Sequence, residues 1–424
     1  MSPTRILLFG LAGVAFSALM GAGYYKYNGV SARKELDLQF ARAKRLGLPA
    51  TMDEAWGPPI AADRNAAPLY TRLSEHEALF RQTLGKLKSP GAEARVALAG
   101  VASDLALFER ASALPGCRFT RASGWDARFP EWTTLRTIGD VMDARARFEA
   151  ADGEPLKAFA TLDSVARASA HVAKEPVLIA KLVAGTMQEK ALETAQKILA
   201  KDGRRADVRA AGRRLVEALG PLPSYKDAMR GEWIFQRQLL ESLEAGRLQT
   251  EQFFTTDGTD SPQASELRGI VANPGARAGQ ELYMVRHFLD SYEAAPNDPM
   301  DVMGADKAAR ALDTVIASHD PAATLASTLL PVYSGGGQIA GRSLAQRRTF
   351  LGLLSALDTP TPPKHLSVKG TDALDPFTGT SLLYRFHAGE ITVWSVGPDG
   401  ADDGGVLRKG GGMHEDIVAV WPRR

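Results

Sequence analysis

Apolar residues recur at helical spacing through most of the chain, from about residue 51 to residue 357. Between Leu135 and Ala151, for example, the apolar side chains that share one face are Ile138, Val141, Met142 and Phe148. A stripe with this period is typical of an amphipathic helix that packs one face into a core. Prolines, glycines and polar turns interrupt the pattern at short intervals, which predicts a series of helical hairpins.

The same pattern gives boundaries for the individual helices. A capping-box spacing at Thr51 and Glu54 predicts a short helix that ends near Trp56, and the pattern then breaks at Pro58 and restarts near Asn65. Further helices are predicted over residues 96–114, 135–151, 154–173, from the boundary at 176 to about 199, 205–219, 233–248, 276–292, 307–318 and 338–357.

One hairpin, "ARARFEAADGEPLKAFATLDSVARASA", resembles a tetratricopeptide-type repeat. It has small residues at Ala146 and Ala158, where the two helices would touch, and Gly153 in the turn. No other repeat of fixed period is visible in the chain. Two interpretations therefore stay open for the helical body, an irregular α-helical domain and a solenoid-like array.

The pattern changes after residue 357. A Pro-rich extended segment, "DTPTPPKHLSVKGTDALDPFTG", is followed by two short strand patterns, "SLLYRF" and "ITVWSV", that the turn "HAGE" joins as a hairpin. A third strand pattern, "DIVAVW", places Ile417, Ala419 and Trp421 on one face. The C-terminal part is therefore predicted to be a small α+β module with an antiparallel sheet.

Residues 6–25, "ILLFGLAGVAFSALMGAGYY", carry no charge and have about the length that a transmembrane helix needs. Tyr24, Tyr25 and Lys26 suit the interfacial end of such a helix. The alternative is a cleaved signal peptide, with a small-residue site at residues 21–23. Because the apolar run is longer than a usual signal core, we favour an uncleaved signal anchor, with the body outside the cytoplasm.

Composition and motifs exclude several classes of function. The 51 basic and 49 acidic side chains give a net charge of +2, which offers no electrostatic case for nucleic acid. The single cysteine, Cys117, excludes a disulfide within the chain and a cysteine-based metal cluster. The histidines do not pair at metal-binding spacing, and no nucleophile elbow is present. No catalytic or cofactor-binding residue is therefore assigned.

A glycine-rich segment, "GGGQIA" at residues 335–340, formally fits the turn of a dinucleotide-binding fold. That motif needs a buried strand before it and a crossover helix after it, within an alternating series of strands and helices. The surrounding pattern lacks this alternation, so these glycines are predicted to form a flexible link into the last helix.

Four carboxylates lie in or beside the Gly-rich loop before the third strand: Asp399, Asp402, Asp403 and Asp416. Calcium takes six to eight oxygen ligands, and glycines let backbone carbonyls turn inward. An EF-hand is rejected because Gly410 stands where its bidentate glutamate would be. Two interpretations remain, a calcium site and a solvated acidic turn without metal.

The same tail carries further pieces of a recognisable pattern: Asp375-Pro376-Phe377 with Gly379, Tyr384, Ser395-Val396-Gly397, Asp399-Gly400, Gly404-Gly405, Asp416-Ile417 and Trp421. In these residues the module resembles the calcium-loop region of the major pseudopilins of type II secretion, and the resemblance implies bound calcium. It covers residues 335–424 only. The N-terminal helix lacks the prepilin peptidase site, so the chain is not a usual pilus subunit. As a whole it resembles uncharacterised bacterial membrane-anchored proteins that end in this module.

These patterns together predict three parts: a transmembrane signal anchor (1–28), an extracytoplasmic α-helical domain (29–334), and a C-terminal helix with a small sheet (335–424). The expected function is a single-pass, membrane-anchored scaffold or binding protein for an unknown protein partner, in envelope assembly or secretion. The alternative is an extracytoplasmic enzyme whose active site lies in the helical domain. A deep pocket with converging titratable groups would favour the enzyme.

Overall fold

A computed structural model of the protein describes residues 29–121, 124, 128–222, 224–247, 262–318, 320–330, 332–359, 361–366, 368, 370–406 and 415–421. The apolar run at residues 6–25, on which the membrane anchor was predicted, lies outside these ranges. None of the helices within them is long and apolar enough to cross a membrane.

The fold is mainly α with one small sheet, as the sequence predicts. In the described residues the helices are α1 (29–45), α2 (Met52–Trp56), α3 (Ala67–Ser74), α4 (Glu77–Lys86), α5 (Ala92–Gly100), α6 (Ala102–Ser112), α7 (Pro130–Ala151), α8 (Pro155–Ala173), α9 (Leu178–Asp202), α10 (Ala206–Ala218), α11 (Tyr225–Glu244), α12 (Pro262–Ala272), α13 (Pro274–Ala294), α14 (Val302–Ile316), α15 (Thr324–Leu329) and α16 (Ser334–Leu357). The strands are β1 (Leu383–His387), β2 (Glu390–Ser395) and β3 (Ile417–Trp421).

Most predicted helices lie where the apolar stripes placed them, and α2 begins at its predicted cap. The Thr51 hydroxyl oxygen accepts a hydrogen bond from the Glu54 amide at 3.2 Å. The helix predicted over residues 96–114 is wrong in one respect, because the chain forms two helices, α5 and α6, that meet at Val101. Val101 has a non-helical backbone and a fully buried side chain, so core packing overrides the continuous helical pattern there.

The α7–α8 hairpin has the predicted turn. Gly153 has φ +85°, a conformation that favours glycine, and nothing lies within 4 Å of the position of a Cβ there. Ala146 and Ala158 are fully buried. Helix α7 contacts α3, and α9 contacts α16, although these helices are far apart in chain order, so the helices are not arranged as a one-dimensional stack of repeats.

The buried apolar side chains form two cores. The first is built from α3 to α10, the C-terminal half of α16 and the sheet. The second is built from α1, α11 to α15 and the start of α16, with Trp233, Phe288 and Tyr333 at its centre. Leu178, at the start of α9, belongs to the second core although the rest of α9 packs in the first.

The glycines at the start of α16 do not form the flexible link that the sequence predicted. Residues 334–337 are part of the helix itself. A Cβ on Gly337 would lie 2.9 Å from Asp306 Cα, and one on Gly336 would lie 2.6 Å from a Leu178 methyl carbon. The prediction was wrong because these glycines serve close packing against α14 and α9, which a sequence pattern does not reveal.

The C-terminal sheet has the predicted antiparallel hairpin and third strand, in the order β1-β2-β3. Ala388 and Gly389, with φ of 50° and 85°, form the tight turn between β1 and β2. Ile417, Ala419 and Trp421 are buried, as their alternation predicts. The sheet packs on α16, and the Trp421 indole N–H donates to the Leu199 carbonyl at 3.0 Å. The tail is therefore continuous with the first core.

Candidate functional site

The acidic Gly-rich loop has the backbone that the calcium interpretation requires. Gly397, Gly400, Gly404 and Gly405 all have positive φ, between 67° and 81°. These residues direct the chain into consecutive tight turns between β2 and the undescribed residues 407–414. Only glycine adopts such conformations without strain, so the glycine content of the tail has a structural reason.

The predicted carboxylate ligands are mostly bonded to the loop's own backbone. Asp399 Oδ1 accepts from the Ala401 amide at 3.0 Å, and Asp402 Oδ1 accepts from the Gly404 amide at 2.8 Å. Asp402 Oδ1 also accepts from the Trp394 indole N–H at 2.9 Å. Such bonds stabilise the turns whether or not a metal is bound.

Asp416 is the predicted ligand with an unused oxygen. Its Oδ2 accepts from the Gly405 amide at 2.8 Å, while its Oδ1 is buried without a hydrogen-bond partner. Burial raises the pKa of Asp416, the amides of Gly405 and Asp403 lower it, and the charges of Asp402 and Asp403 raise it. Asp402, Asp403 and Asp416 are thus brought near one another. Within the described part of the loop, however, no group of three or more carboxylate, histidine or cysteine side chains has an arrangement that could hold a metal.

Asp375 belongs to the Asp-Pro-Phe motif noted in the sequence, and it holds two segments of the C-terminal module together. Its side chain is 1% exposed and accepts from the Val396 amide, the Phe377 amide and the Ser395 hydroxyl, at 2.8, 2.8 and 3.0 Å. These bonds join the extended entry segment to the end of β2. Asp375 is therefore a structural residue of the module.

An apolar cleft of about 310 Å³ lies between α9, α11 and the segment that joins α15 to α16. Its walls are mainly the side chains of Leu182, Phe235, Leu239, Leu329, Leu330 and Val332. Ile179 and Val332 lie at its mouth, 47% and 75% exposed. The volume and the apolar lining are those of a small-molecule site.

Two consecutive residues of α11 fix the start of α9 beside this cleft. The Gly231 amide donates to the Pro176 carbonyl at 2.8 Å, and Glu232 Oε1 accepts from the Leu178 amide at 2.8 Å. A Cβ on Gly231 would lie 2.2 Å from the Pro176 oxygen, so only glycine permits this approach. The cleft depends on this contact.

Glu232 and Gln236 are the polar side chains of the cleft. They lie one helical turn apart on α11. Gln236 is 2% exposed, and neither its amide oxygen nor its amide nitrogen has a hydrogen-bond partner. Buried polar groups are ordinarily paired, so an unpaired amide in the wall of a cavity is unusual in a folded protein.

Burial raises the pKa of Glu232 to about 7, and the Leu178 amide acts weakly against that shift. Ionised Glu232 in turn contributes to raising the pKa values of Tyr225 and Tyr333, which burial already places above their usual range. Both phenols therefore stay neutral at physiological pH. Glu232 is the group of the cleft that titrates near neutrality.

A network of charges and rings borders the cleft at Phe129. The Arg121 guanidinium lies 4.8 Å from the centre of the Phe129 ring and binds Glu131 and Glu175 at 2.9 and 3.2 Å. Lys181 donates to the Glu175 carbonyl at 2.7 Å, and burial lowers its pKa to about 8. These cations are occupied by partners of their own.

The titratable groups singled out in the sequence have structural roles. Cys117 is buried, and burial raises the pKa of its thiol. His171 Nδ1 faces the Tyr70 hydroxyl at 3.1 Å, its Nε2 faces the Leu114 carbonyl at 3.0 Å, and burial lowers its pKa to about 4. A neutral imidazole satisfied on both sides is consistent with packing and not with catalysis.

Sequence reasoning missed the cleft, although one signal for it existed. Glu232, Phe235, Gln236 and Leu239 lie at helical spacing and form a mixed stripe beside the apolar stripe of α11. The other walls come from distant parts of the chain, so the stripe alone predicts no cavity.

Neither a protein-family model, nor a curated protein, nor a solved structure matches the chain.

Proposed function

We propose that the protein is a single-pass, membrane-anchored binding protein whose helical body and C-terminal module lie outside the cytoplasm. The observation that carries the binding role is the apolar cleft, which combines about 310 Å³ of space with an unpaired buried amide and one carboxyl. The anchor rests on the uncharged apolar run at residues 6–25. A role in envelope assembly or secretion rests on the resemblance of the tail to pseudopilins.

The cleft favours binding over the alternative of an enzyme. A carboxyl whose pKa is raised to about 7 is suited to general acid–base chemistry. Among the described residues that line the cleft, Glu232 has no second carboxylate, histidine or nucleophile beside it. A catalytic site needs several groups in mutual geometry, so binding is the simpler function of this lining.

The membrane part of the proposal is tested by extraction and by topology. The full-length protein should stay with the membrane pellet after carbonate treatment, because residues 6–25 are expected to span the bilayer. A fusion of alkaline phosphatase to the C-terminus should be active, since that enzyme matures outside the cytoplasm. Release by carbonate would contradict the anchor, and a C-terminal reporter active only in the cytoplasm would contradict the orientation.

We also propose that the tail loop binds one calcium ion, with Asp399 and Asp416 as ligands and Asp402 or Asp403 completing the site. The support is the run of positive-φ glycines and the unused buried oxygen of Asp416. Calcium at a hundredfold excess over its dissociation constant should stabilise the protein by about 2.7 kcal/mol. Magnesium should substitute poorly because it demands a smaller octahedral shell.

The measurement is thermal unfolding of the whole protein with calcium and with chelator, since the tail packs on the helical body. Asp399→Ala should remove most of the calcium effect, whereas Asp372→Ala, at an exposed position of the same module, should retain it. Equal midpoints with calcium and chelator, and no heat on adding calcium, would favour a solvated acidic turn without metal.

A further inference from the structure

The Gln236 amide in the wall of the cleft lacks hydrogen-bond partners. Gln236 is buried with both amide atoms unpaired, and a buried polar group left without a partner destabilises the folded protein. The walls of the cleft are mostly apolar, and the packing gives the Gln236 amide no hydrogen-bond partner. Because its amide atoms are buried, Gln236 would gain a hydrogen bond to a ligand when its side chain rotates toward the cleft.

Glu232 adds a charge without a counter-charge. Among the described residues, the influences on its ionisation are burial by the surrounding protein and the Leu178 amide, and no cation is among them. Arg121, near Phe129, is held by Glu131 and Glu175, and Lys181 is held by backbone carbonyls. Glu232 is half-buried, and a carboxylate partly removed from water is stabilised by a cation, which a ligand can supply here.

The side chains that line the cleft indicate what the remaining part of the ligand is like. Leu182, Leu239, Leu329 and Leu330 offer an aliphatic surface, and Phe129, Phe235 and Tyr333 present aromatic rings. Aromatic faces attract an ammonium group as well as an apolar chain. An anionic ligand, in contrast, would lie against the Glu232 carboxylate without a cation to compensate.

We propose that the cleft binds a small amphiphilic amine, whose ammonium group donates hydrogen bonds to Glu232 and, once the Gln236 side chain has rotated toward the cleft, to the amide oxygen of that residue, and whose apolar body packs between α9 and α11. The proposal rests on the binding function proposed above and names its ligand class. It does not depend on the membrane anchor, because the cleft lies wholly in the helical body.

Binding of this kind is coupled to a proton. An ammonium ligand favours the ionised form of Glu232, so the complex forms with release of the proton that this carboxyl holds below pH 7. Tyr225 and Tyr333 stay neutral, and Lys181 stays charged, over pH 5 to 7. Affinity should therefore rise at least about tenfold from pH 5 to pH 7, and about half a proton should be released at pH 7.

The experiment is calorimetric titration of the whole protein with octylammonium, octanamide and octanoate. Octylammonium should bind at least about tenfold more tightly than either of the others at pH 7.5, because only it pairs with the carboxylate. Its heat at pH 7 should differ between Tris and phosphate buffers, which have different ionisation enthalpies, by the amount that corresponds to the released proton.

Matched variants locate the site. Glu232→Gln keeps an acceptor for the Leu178 amide but removes the charge, so octylammonium should bind at least about tenfold more weakly and without proton release. Gln236→Leu fills the same space without polar atoms and should weaken binding several-fold while the protein stays folded. Glu241→Gln, on the exposed face of the same helix, should bind like the wild type.

The possible results distinguish an error in the ligand class from an error in the binding function. If octanamide or octanoate binds in the cleft and octylammonium does not, the ligand class is wrong while the binding function stands. If none of the three amphiphiles binds at any pH from 5 to 8, the cleft is no binding site and both proposals fall. Octylammonium binding that Glu232→Gln leaves unchanged would likewise overturn the assignment to this cleft.

Discussion

Replacing Gly231 with alanine should destabilise the protein by about 3 kcal/mol or more, although alanine is the better helix former. A Cβ there would lie 2.2 Å from the Pro176 oxygen and 2.7 Å from a Val177 methyl carbon. The first of these contacts is with backbone, which cannot rotate away as a side chain does. The chain before α9 would have to move from α11, and the hydrogen bond from the Gly231 amide would break.

The same displacement should open the cleft, because the Leu178 amide that Glu232 holds is two residues from Pro176. Urea unfolding measures the loss of stability, and octylammonium titration measures the loss of binding. Gly279→Ala is the matched control, since it also lies within a helix but has nothing within 4 Å of a new Cβ. It should be neutral or stabilising by up to about 1 kcal/mol. Equal stabilities of the two variants would contradict the close contact.

Replacing Asp375 with alanine should cost about 3 kcal/mol or more and should loosen the C-terminal sheet. The substitution leaves the Val396 amide and the Ser395 hydroxyl without their acceptor in a buried position. An unsatisfied buried donor carries its full desolvation penalty, about 1–3 kcal/mol. The end of β2 and the turn at Gly397 should therefore lose their fixed positions first.

Amide hydrogen exchange shows most specifically which segments Asp375→Ala destabilises. Amides of β2 and β3 should exchange faster in Asp375→Ala, while those of α7 and α8 should change little. Asp372→Ala removes a neighbouring carboxylate that is exposed and should leave both regions unchanged. Uniform acceleration across the helical body would show that the tail and the body unfold as one unit. Unchanged exchange in β2 would contradict the role assigned to Asp375.

The sequence predicts helices and strands well where apolar residues recur at regular spacing on one face. The stripe of Ile138, Val141, Met142 and Phe148 lies buried in α7, and the alternation of Ile417, Ala419 and Trp421 lies buried in β3. Both are local patterns whose period is set by backbone geometry, so they are visible without knowledge of the fold.

Features that depend on contacts between distant segments were not predictable in the same way. The glycines at the start of α16 read as a flexible link because their packing partners, Asp306 and Leu178, are far away in sequence. The cleft is formed by α9, α11 and residues 329, 330, 332 and 333, and its unpaired amide is recognised only when its surroundings are known. For the acidic tail, the sequence correctly indicated tight turns, whereas calcium binding stays a prediction.

The cleft holds a carboxyl that has no counter-charge among the described residues and can bind a cationic ligand, and the ionisation of Glu232 tests this most directly. Protein labelled with ¹³C at glutamate carboxyl carbons can be titrated by NMR, with Glu232→Gln identifying the resonance by its absence. We expect a pKa of about 7 for Glu232 in the free protein and a clear decrease when octylammonium is saturating. A pKa near the ordinary glutamate value of about 4.3 that does not respond to octylammonium would contradict the account.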